Sequence, residues 1–275
     1  MLKTNIIAEV GINHNGDINL CKDLMSIAKV AGCDFIKIQK RNPDLCVPEN
    51  QKNKIRSTPW GDMTYLDYKK KIEFTENQIQ ELCDYSSKLG ITFFASVWDK
   101  DSVDVMRKYN TITKIPSALI TDLDLCKYAR DNFKTLIIST GMSTEKEIEE
   151  CIEVCDPDVI MHTNSSYPAP IEELNLNYIT WLKNKWKNKQ IGYSGHEYGL
   201  VSTFAAVAMG STWIERHITL NHDMWGSDHL SSLEPSGLFK LVKGIRDIEK
   251  SLSYPASERI LFEKEKIKRE SLRKL

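Results

Sequence analysis

The chain has 275 residues, of which 41% are hydrophobic and 27% charged, with a formal net charge of −1. That length and composition suit one large domain. The near-neutral balance excludes a broad nucleic-acid surface or an anionic-membrane partner, so any anion site must be a local cluster. No apolar run reaches transmembrane length, and the apolar part of MLKTNIIAEVGINHNG is too short for a signal peptide, which makes the cytoplasm the expected compartment.

In chain order, residues 5–10 (NIIAEV) read as a buried strand. The polar loop GINHNGD follows, then a helix to about residue 31, capped by Asp17 or Asn19 and ended by Gly32. Residues 34–39 (DFIKIQ) form the second strand. The connection over residues 40–74 is rich in Pro, Asn and charge, yet Trp60, Tyr65 and Tyr68 make it too aromatic for a solvated linker; a lid or binding loop is expected. Thr75 opens the next helix with the capping box T-E-N-Q, and Gly90 closes it. Strands three, four and five are expected at residues 91–98, 111–117 and 134–140. Their helices start at Asp99 or Asp101, in TDLDLCKYARDN, and at a second capping box opened by Ser143. Strands six, seven and eight fall at residues 156–163, 190–194 and 212–218, with helices over about 175–186, 200–210 and 236–252.

Eight strand patterns, each followed by a helical one, predict a parallel sheet closed as a (β/α)₈ TIM barrel over residues 1–252, with a charged helical tail over 253–275. The alternative, a doubly wound open sheet, is weakened by the first turn, which lacks the G-x-G-x-x-G phosphate fingerprint. Seven cysteines (Cys21, Cys33, Cys46, Cys83, Cys126, Cys151 and Cys155) are scattered with no C-x-x-C pair, so free thiols are expected rather than disulfides or zinc ligands.

A barrel places its chemistry at the carboxyl ends of its strands. There stand Glu9, Lys37 and Gln39, Ser96, Lys114 and Ser117, Ser139 and Thr140, His162 and Asn164, Ser194 and His196, and Glu215 and His217. His196 and His217 close neighbouring strands, with Glu215 and Asp228 near in sequence. They read either as hydrogen-bonded core histidines or as a pair gripping one divalent metal. Lys37 and Lys114 interrupt apolar strands, where an ammonium is costly unless an anion answers it. The choice is a structural ion pair with a carboxylate such as Glu9, or a cradle for a phosphorylated or carboxylated substrate.

The motifs AEVGINHNG, DFIKIQ, MTYLDYKK, STGMST, SYPAP, IGYSGH and IERHITLNHDMWGSDHLSSLEP, spread over about residues 5–250, resemble the sialic acid synthase family, also called N-acetylneuraminate synthases. The resemblance implies a (β/α)₈ enzyme that condenses phosphoenolpyruvate with an open-chain N-acylated hexosamine, giving a 3-deoxy-2-keto acid and phosphate. It implies a divalent ion, Mn²⁺ first with Mg²⁺ or Co²⁺ as alternatives, on His196 and His217. Glu9, Lys37, Lys114 and the two histidines are then the catalytic set. Lys37, Ser96, Lys114, Ser117, Ser139 and Ser194 match phosphoenolpyruvate contacts, Glu9 and Gln39 match sugar contacts, and Tyr167 and Asp228 match further polar positions on the sugar and metal sides.

Several departures accompany the resemblance. Ser96 stands where the family often has Thr, and Leu119 stands where it has an acid. For an asparagine beside the strand-six tyrosine, the candidates are Ser165 and the shifted Asn164. Many members continue into a small C-terminal domain that sends an arginine into the partner's site, whereas this sequence ends at Leu275, about where that domain would begin. The connection over residues 40–74, with Arg41, Arg56 and Trp60, then reads either as the segment that holds the acceptor or as one that packs the barrel mouth or a dimer contact without touching sugar. The expected partners are phosphoenolpyruvate and a small sugar, with no nucleic acid and no membrane; a homodimer is left open. The rival functions are a metal-dependent sugar isomerase or lyase, and a non-catalytic sugar-binding barrel.

Overall fold

The structure, a computed structural model, describes residues 3–254 and 259–273. Eight parallel strands close into a barrel: β1 (Asn5–Gly11), β2 (Phe35–Lys40), β3 (Thr92–Val97), β4 (Ile112–Ile115), β5 (Thr135–Ser139), β6 (Val159–Thr163), β7 (Gln190–Gly195) and β8 (Trp213–His217). Each strand pairs with its chain neighbours, and β1 pairs with β8 to close the ring. The expected fold is therefore the observed one, with strand ends displaced by up to three residues.

Side chains alternate along each strand, and the alternation sorts the barrel into two cores. Ile6, Ala8, Val10, Ile36, Ile38, Phe93 and Ala95 point outward and pack under the helices. Ile7, Phe94, Ile112, Ile137, Val159, Met161 and Trp213 point inward and fill the amino-terminal floor. Two residues further along, the same inward rows become polar: Glu9 after Ile7, Ser96 after Phe94, Lys114 after Ile112, Ser139 after Ile137, and Glu215 after Trp213. Period two thus lays a polar layer directly on an apolar one.

The helices start where side-chain caps satisfy their free N–H groups. Asp17 accepts from the backbone of Asn19 and Leu20, Asp99 from Ser102, and Thr75 completes its box with Gln78. The second box is a correction: Thr144 with Glu147, not Ser143, caps the helix Glu145–Cys155. Only Thr144 stands three residues before a glutamate, which is the spacing the reciprocal bonds need.

The connection after β2 is ordered into short elements. Two one-turn helices (Pro43–Cys46 and Glu49–Lys52) precede an antiparallel hairpin (Ile55–Thr58 with Gly61–Thr64) and the helix Tyr65–Ile72. Tyr68 and Ile72 pack on Ile12 of the loop after β1, so this segment carries its own small core over the barrel mouth. At the other end, the helix Glu263–Leu272 buries none of its residues. Pro255, Ala256, Ser257, Glu258, Lys274 and Leu275 of the expected tail lie outside the described residues. No described helix is long and apolar enough to cross a membrane.

Outward from β8, the Arg216 guanidinium is buried among Glu197 (3.1 Å), the Thr203 hydroxyl (2.9 Å) and the Gly199 carbonyl (2.8 Å). Tyr193 donates to the other Glu197 oxygen at 2.8 Å. Arg216→Met strands the Glu197 carboxylate and should cost about 3–5 kcal/mol in urea denaturation, with part recovered by adding Glu197→Leu. Unchanged stability in the single variant refutes this account of the pair.

Candidate active site

The polar layer lines a cavity of about 230 Å³ at the carboxyl ends of the strands. Glu9 comes from β1, Lys37 and Gln39 from β2, Ser96 from β3, Lys114 from β4 with Ser117 just after it, and Ser139 from β5. Ser194 and Glu215 come from β7 and β8, His217 ends β8, His196 follows β7, and Tyr167 enters from the loop after β6. Trp98 and Thr163, to which the sequence pattern assigned no binding role, also line it, as does Ser165, one of the two candidates for the family's asparagine.

Register explains the central charges. Glu9 sits beside Lys37 in one ladder and beside His217 in the other, while Ser194 faces Glu215. Lys37 Nζ lies 2.7 Å from Glu9 Oε2 and 3.6 Å from Glu215 Oε1; Lys114 Nζ lies 2.8 Å from the same Glu215 oxygen. Both lysines therefore have carboxylate partners, as the ion-pair alternative required, and both also face the cavity.

Burial pushes Glu9 up; Lys37 pulls it down only in part and Glu215 adds to the rise, leaving a pKa of about 7. Burial would likewise raise Glu215, but the Lys114 and Lys37 ammoniums outweigh it and hold that carboxyl at about 2. Burial holds Lys114 below the usual lysine value. Glu215 Oε2, Ser139 Oγ and His217 Nδ1 are buried without a hydrogen-bond partner. Such atoms cost about 1–3 kcal/mol each and mark positions where ligand atoms would be welcomed.

The two imidazoles face each other with ring centroids 5.3 Å apart, and Tyr167 lies over His196 at 4.0 Å. His196 Nδ1 lies 2.6 Å from the Asn164 carbonyl; as donor to it, that nitrogen fixes the tautomer and leaves Nε2 with its lone pair. Burial lowers His196 to about 3, helped by His217, and lowers His217 to about 4. Both rings are thus neutral at ordinary pH, the form that ligates metal. Gly11, at φ +57°, passes under His217, where a Cβ would meet the ring at 3.1 Å.

Among the described residues, no three His, Cys, Asp or Glu side chains converge as a metal cluster. The donor set fits a divalent ion only as a two-imidazole site whose remaining positions are open to water and substrate.

One predicted position, Asn164, needs correction, and another, Asp228, stands beside the central cavity rather than in it. Asn164 turns its side chain away from the cavity, its amide donating to the Glu173 carbonyl at 3.2 Å and its oxygen accepting from the Ser166 N–H at 2.9 Å. Its contribution here is the carbonyl that orients His196, because the loop after β6 bends back at that point. Asp228 does not line the central cavity; its carboxylate stands 3.8 Å from His217 Nδ1, in a neighbouring cavity of about 530 Å³ that shares Gln39, Trp98 and Tyr167. That cavity continues through Tyr65 and Lys69 to a third, of about 620 Å³, lined by Arg56 and Trp225. Trp60 stands on the hairpin, edge-on to Trp225 at 6.0 Å, and lines none of the three.

Comparison with known proteins supplies a context for this geometry. A family model described as the NeuB family matches residues 24–256. The N,N'-diacetyllegionaminic acid synthase of Campylobacter jejuni is 38% identical over 263 residues, covering 92% of this chain and 78% of that protein. The N-acetylneuraminate-9-phosphate synthase of Homo sapiens is 34% identical over 262 residues, covering 92% and 72%. A solved N-acetylneuraminic acid (sialic acid) synthetase from Leptospira borgpetersenii, in complex with citrate, superposes with a TM-score of 0.87 at 32% identity, covering 98% of this chain and 92% of that one.

A further imidazole at the mouth yields a pH prediction. His14 is buried, stacks on Phe74 at 4.1 Å and accepts the Gly16 N–H at 3.0 Å; burial first, then Arg41, lowers it from 6.5 to about 3. The folded chain keeps this ring neutral, while the unfolded chain protonates it below about 6.5. Its contribution to stability is therefore complete above that pH and is lost as pH falls toward 3, by up to about 1.4 kcal/mol per pH unit. His14→Phe should flatten the dependence of urea stability on pH between 6 and 4. The same slope in variant and parent would rule this out.

Proposed function

The chain belongs to the NeuB family, and on that premise we propose that it condenses phosphoenolpyruvate with the aldehyde of an open-chain N-acylated hexosamine or a related sugar. The products are a sialic-acid-like 3-deoxy-2-keto acid and phosphate. The observation that carries this reading is the meeting of two neutral imidazoles and two buried lysines in one cavity of about 230 Å³. The names of the relatives, synthases of legionaminic and neuraminic acids, support it.

In this reaction C3 of phosphoenolpyruvate bonds to the aldehyde carbon, water adds at C2, and the C2–O bond to phosphate breaks. Lys37 and Lys114 turn from their carboxylates toward the phosphate and carboxylate of the substrate, with the hydroxyls of Ser96, Ser117, Ser139 and Ser194 around them. Glu9, near half-titration at neutral pH, delivers a proton to the aldehyde oxygen as it becomes a hydroxyl. Gln39 and Tyr167 line both the central and the neighbouring cavity and hold the sugar between them. His196 and His217 would hold a divalent ion, Mn²⁺ first with Mg²⁺ or Co²⁺ as alternatives, which when bound supplies polarisation of the aldehyde oxygen.

Phosphate release should require both phosphoenolpyruvate and a sugar, and should stop on chelation and in His217→Ala. Release or sugar conversion without phosphoenolpyruvate would instead indicate an isomerase or lyase. Lys114→Met should weaken phosphoenolpyruvate binding by about 30- to 1000-fold, measured by titration. Unchanged affinity in that variant would move the anion site elsewhere.

A further inference from the structure

Two strand-end residues of the sequence, His162 and Asn164, send no side chain into the central cavity. Both line a further cavity of about 490 Å³, set between the turn after β5 and the loop after β6 and within the size range of small-molecule sites. Met142, Thr163 and Ser165 line this cavity and the central one alike, so the two share a wall. Gly141 keeps that wall thin, because a Cβ there would collide with the Ser165 hydroxyl.

His162 is 7% exposed, and its Nε2 lies 2.6 Å from the Leu174 carbonyl. As donor to that carbonyl, Nε2 carries the proton and Nδ1 keeps a lone pair, buried and without a partner. An acceptor left in this state is costly until a ligand O–H or N–H answers it. Ser143, Ser166 and Asn175 add hydroxyl and amide groups to the lining, while the Tyr178 ring, stacked on Trp181 at 5.2 Å, adds an aromatic one.

The charge of the cavity narrows the ligand further. No lysine or arginine among the described residues lines it; its charged groups are the carboxylates of Glu145 and Glu173. Glu145 is already occupied, accepting the Tyr178 hydroxyl at 2.6 Å and lying 3.0 Å from Lys185 Nζ, and Glu173 is exposed to solvent that screens it. An anion finds no cation here, and a cation finds no buried free carboxylate. Hydroxyl groups, which donate and accept at once, suit both the carboxylates and the His162 lone pair.

We propose that this cavity is a second site for the uncharged acceptor sugar, next to the one in which it reacts. The assignment rests on the condensation given above: of its participants, phosphoenolpyruvate, phosphate and the keto acid are anions, whereas the sugar is neutral. Asn164 joins the two sites. Its amide donates to the Glu173 carbonyl at 3.2 Å and its side-chain oxygen accepts the Ser166 N–H at 2.9 Å, while its own carbonyl holds His196 Nδ1 at 2.6 Å. Sugar in this cavity therefore bears on the loop that orients His196, and its occupancy is felt in turnover at high sugar concentration.

The test is equilibrium dialysis of the full chain with radiolabelled N-acetylmannosamine, with N-acetylneuraminate as the anionic competitor. Ser166→Trp fills the cavity from an exposed position; His162→Gln keeps a donor for the Leu174 carbonyl and removes the Nδ1 acceptor. The parent should bind one N-acetylmannosamine that His217→Ala retains and that Ser166→Trp and His162→Gln each weaken about tenfold or more. N-acetylneuraminate should not displace it, and phosphoenolpyruvate affinity, measured separately, reports that the barrel of each variant is intact. In turnover, the rate should depart from one-site saturation as sugar rises in the parent and follow it in Ser166→Trp. Loss of all sugar binding in His217→Ala, binding that survives both cavity variants, or displacement by N-acetylneuraminate would overturn the second site. Strict one-site saturation in the parent would overturn its link to turnover. Absence of phosphoenolpyruvate-dependent phosphate release with every sugar would overturn the reaction instead, leaving the dialysis to judge the cavity alone.

Discussion

Glu215 holds Lys114 at 2.8 Å and lies 3.6 Å from Lys37, which in turn holds Glu9 at 2.7 Å. Taking each of these four charges out of water costs several kcal/mol, so none is tolerable there without the others. Their mutual neutralisation permits a charged layer inside a closed barrel. It also leaves the carboxylates in unlike states, one held ionised near 2 and the other poised near 7. An entering anion needs no new cations, only the partial release of cations already present.

Beneath that layer lies a floor of branched and aromatic side chains, and around it a helical shell packs on the outward face of every strand. The division follows from alternation within each strand, and it separates the atoms that hold the barrel closed from those that face the cavity. The same separation explains the histidines. The Asn164 carbonyl and Gly11 fix how the rings lie, so their nitrogens reach the cavity neutral and oriented.

The mouth obeys a different rule. Its cations Arg41 and Lys69 rest on the aromatic faces of Trp98 and Tyr65 rather than on carboxylates, within a segment that packs its own small core on the loop after β1. Cation–π contact orients an ammonium or guanidinium without neutralising it.

Strand and helix identity, the closure of eight β/α units and the inward rows of polar residues follow from local patterns: period two along strands, caps at helix starts, and glycine where φ must be positive. Glu9, Lys37, Lys114, His196 and His217 are legible for the same reason, since each occupies an inward position of a strand or the residue just past its end. What no pattern carries is which charges meet. The sharing of Glu215 between two lysines depends on the register of strands far apart in the chain, and the turning away of Asn164 depends on the path of one loop. Whether Arg41 and Lys69 find carboxylates depends on how the segment after β2 folds over the mouth. Local spacing determines which face a side chain takes, whereas its partner is decided only when distant segments close around it and water is excluded.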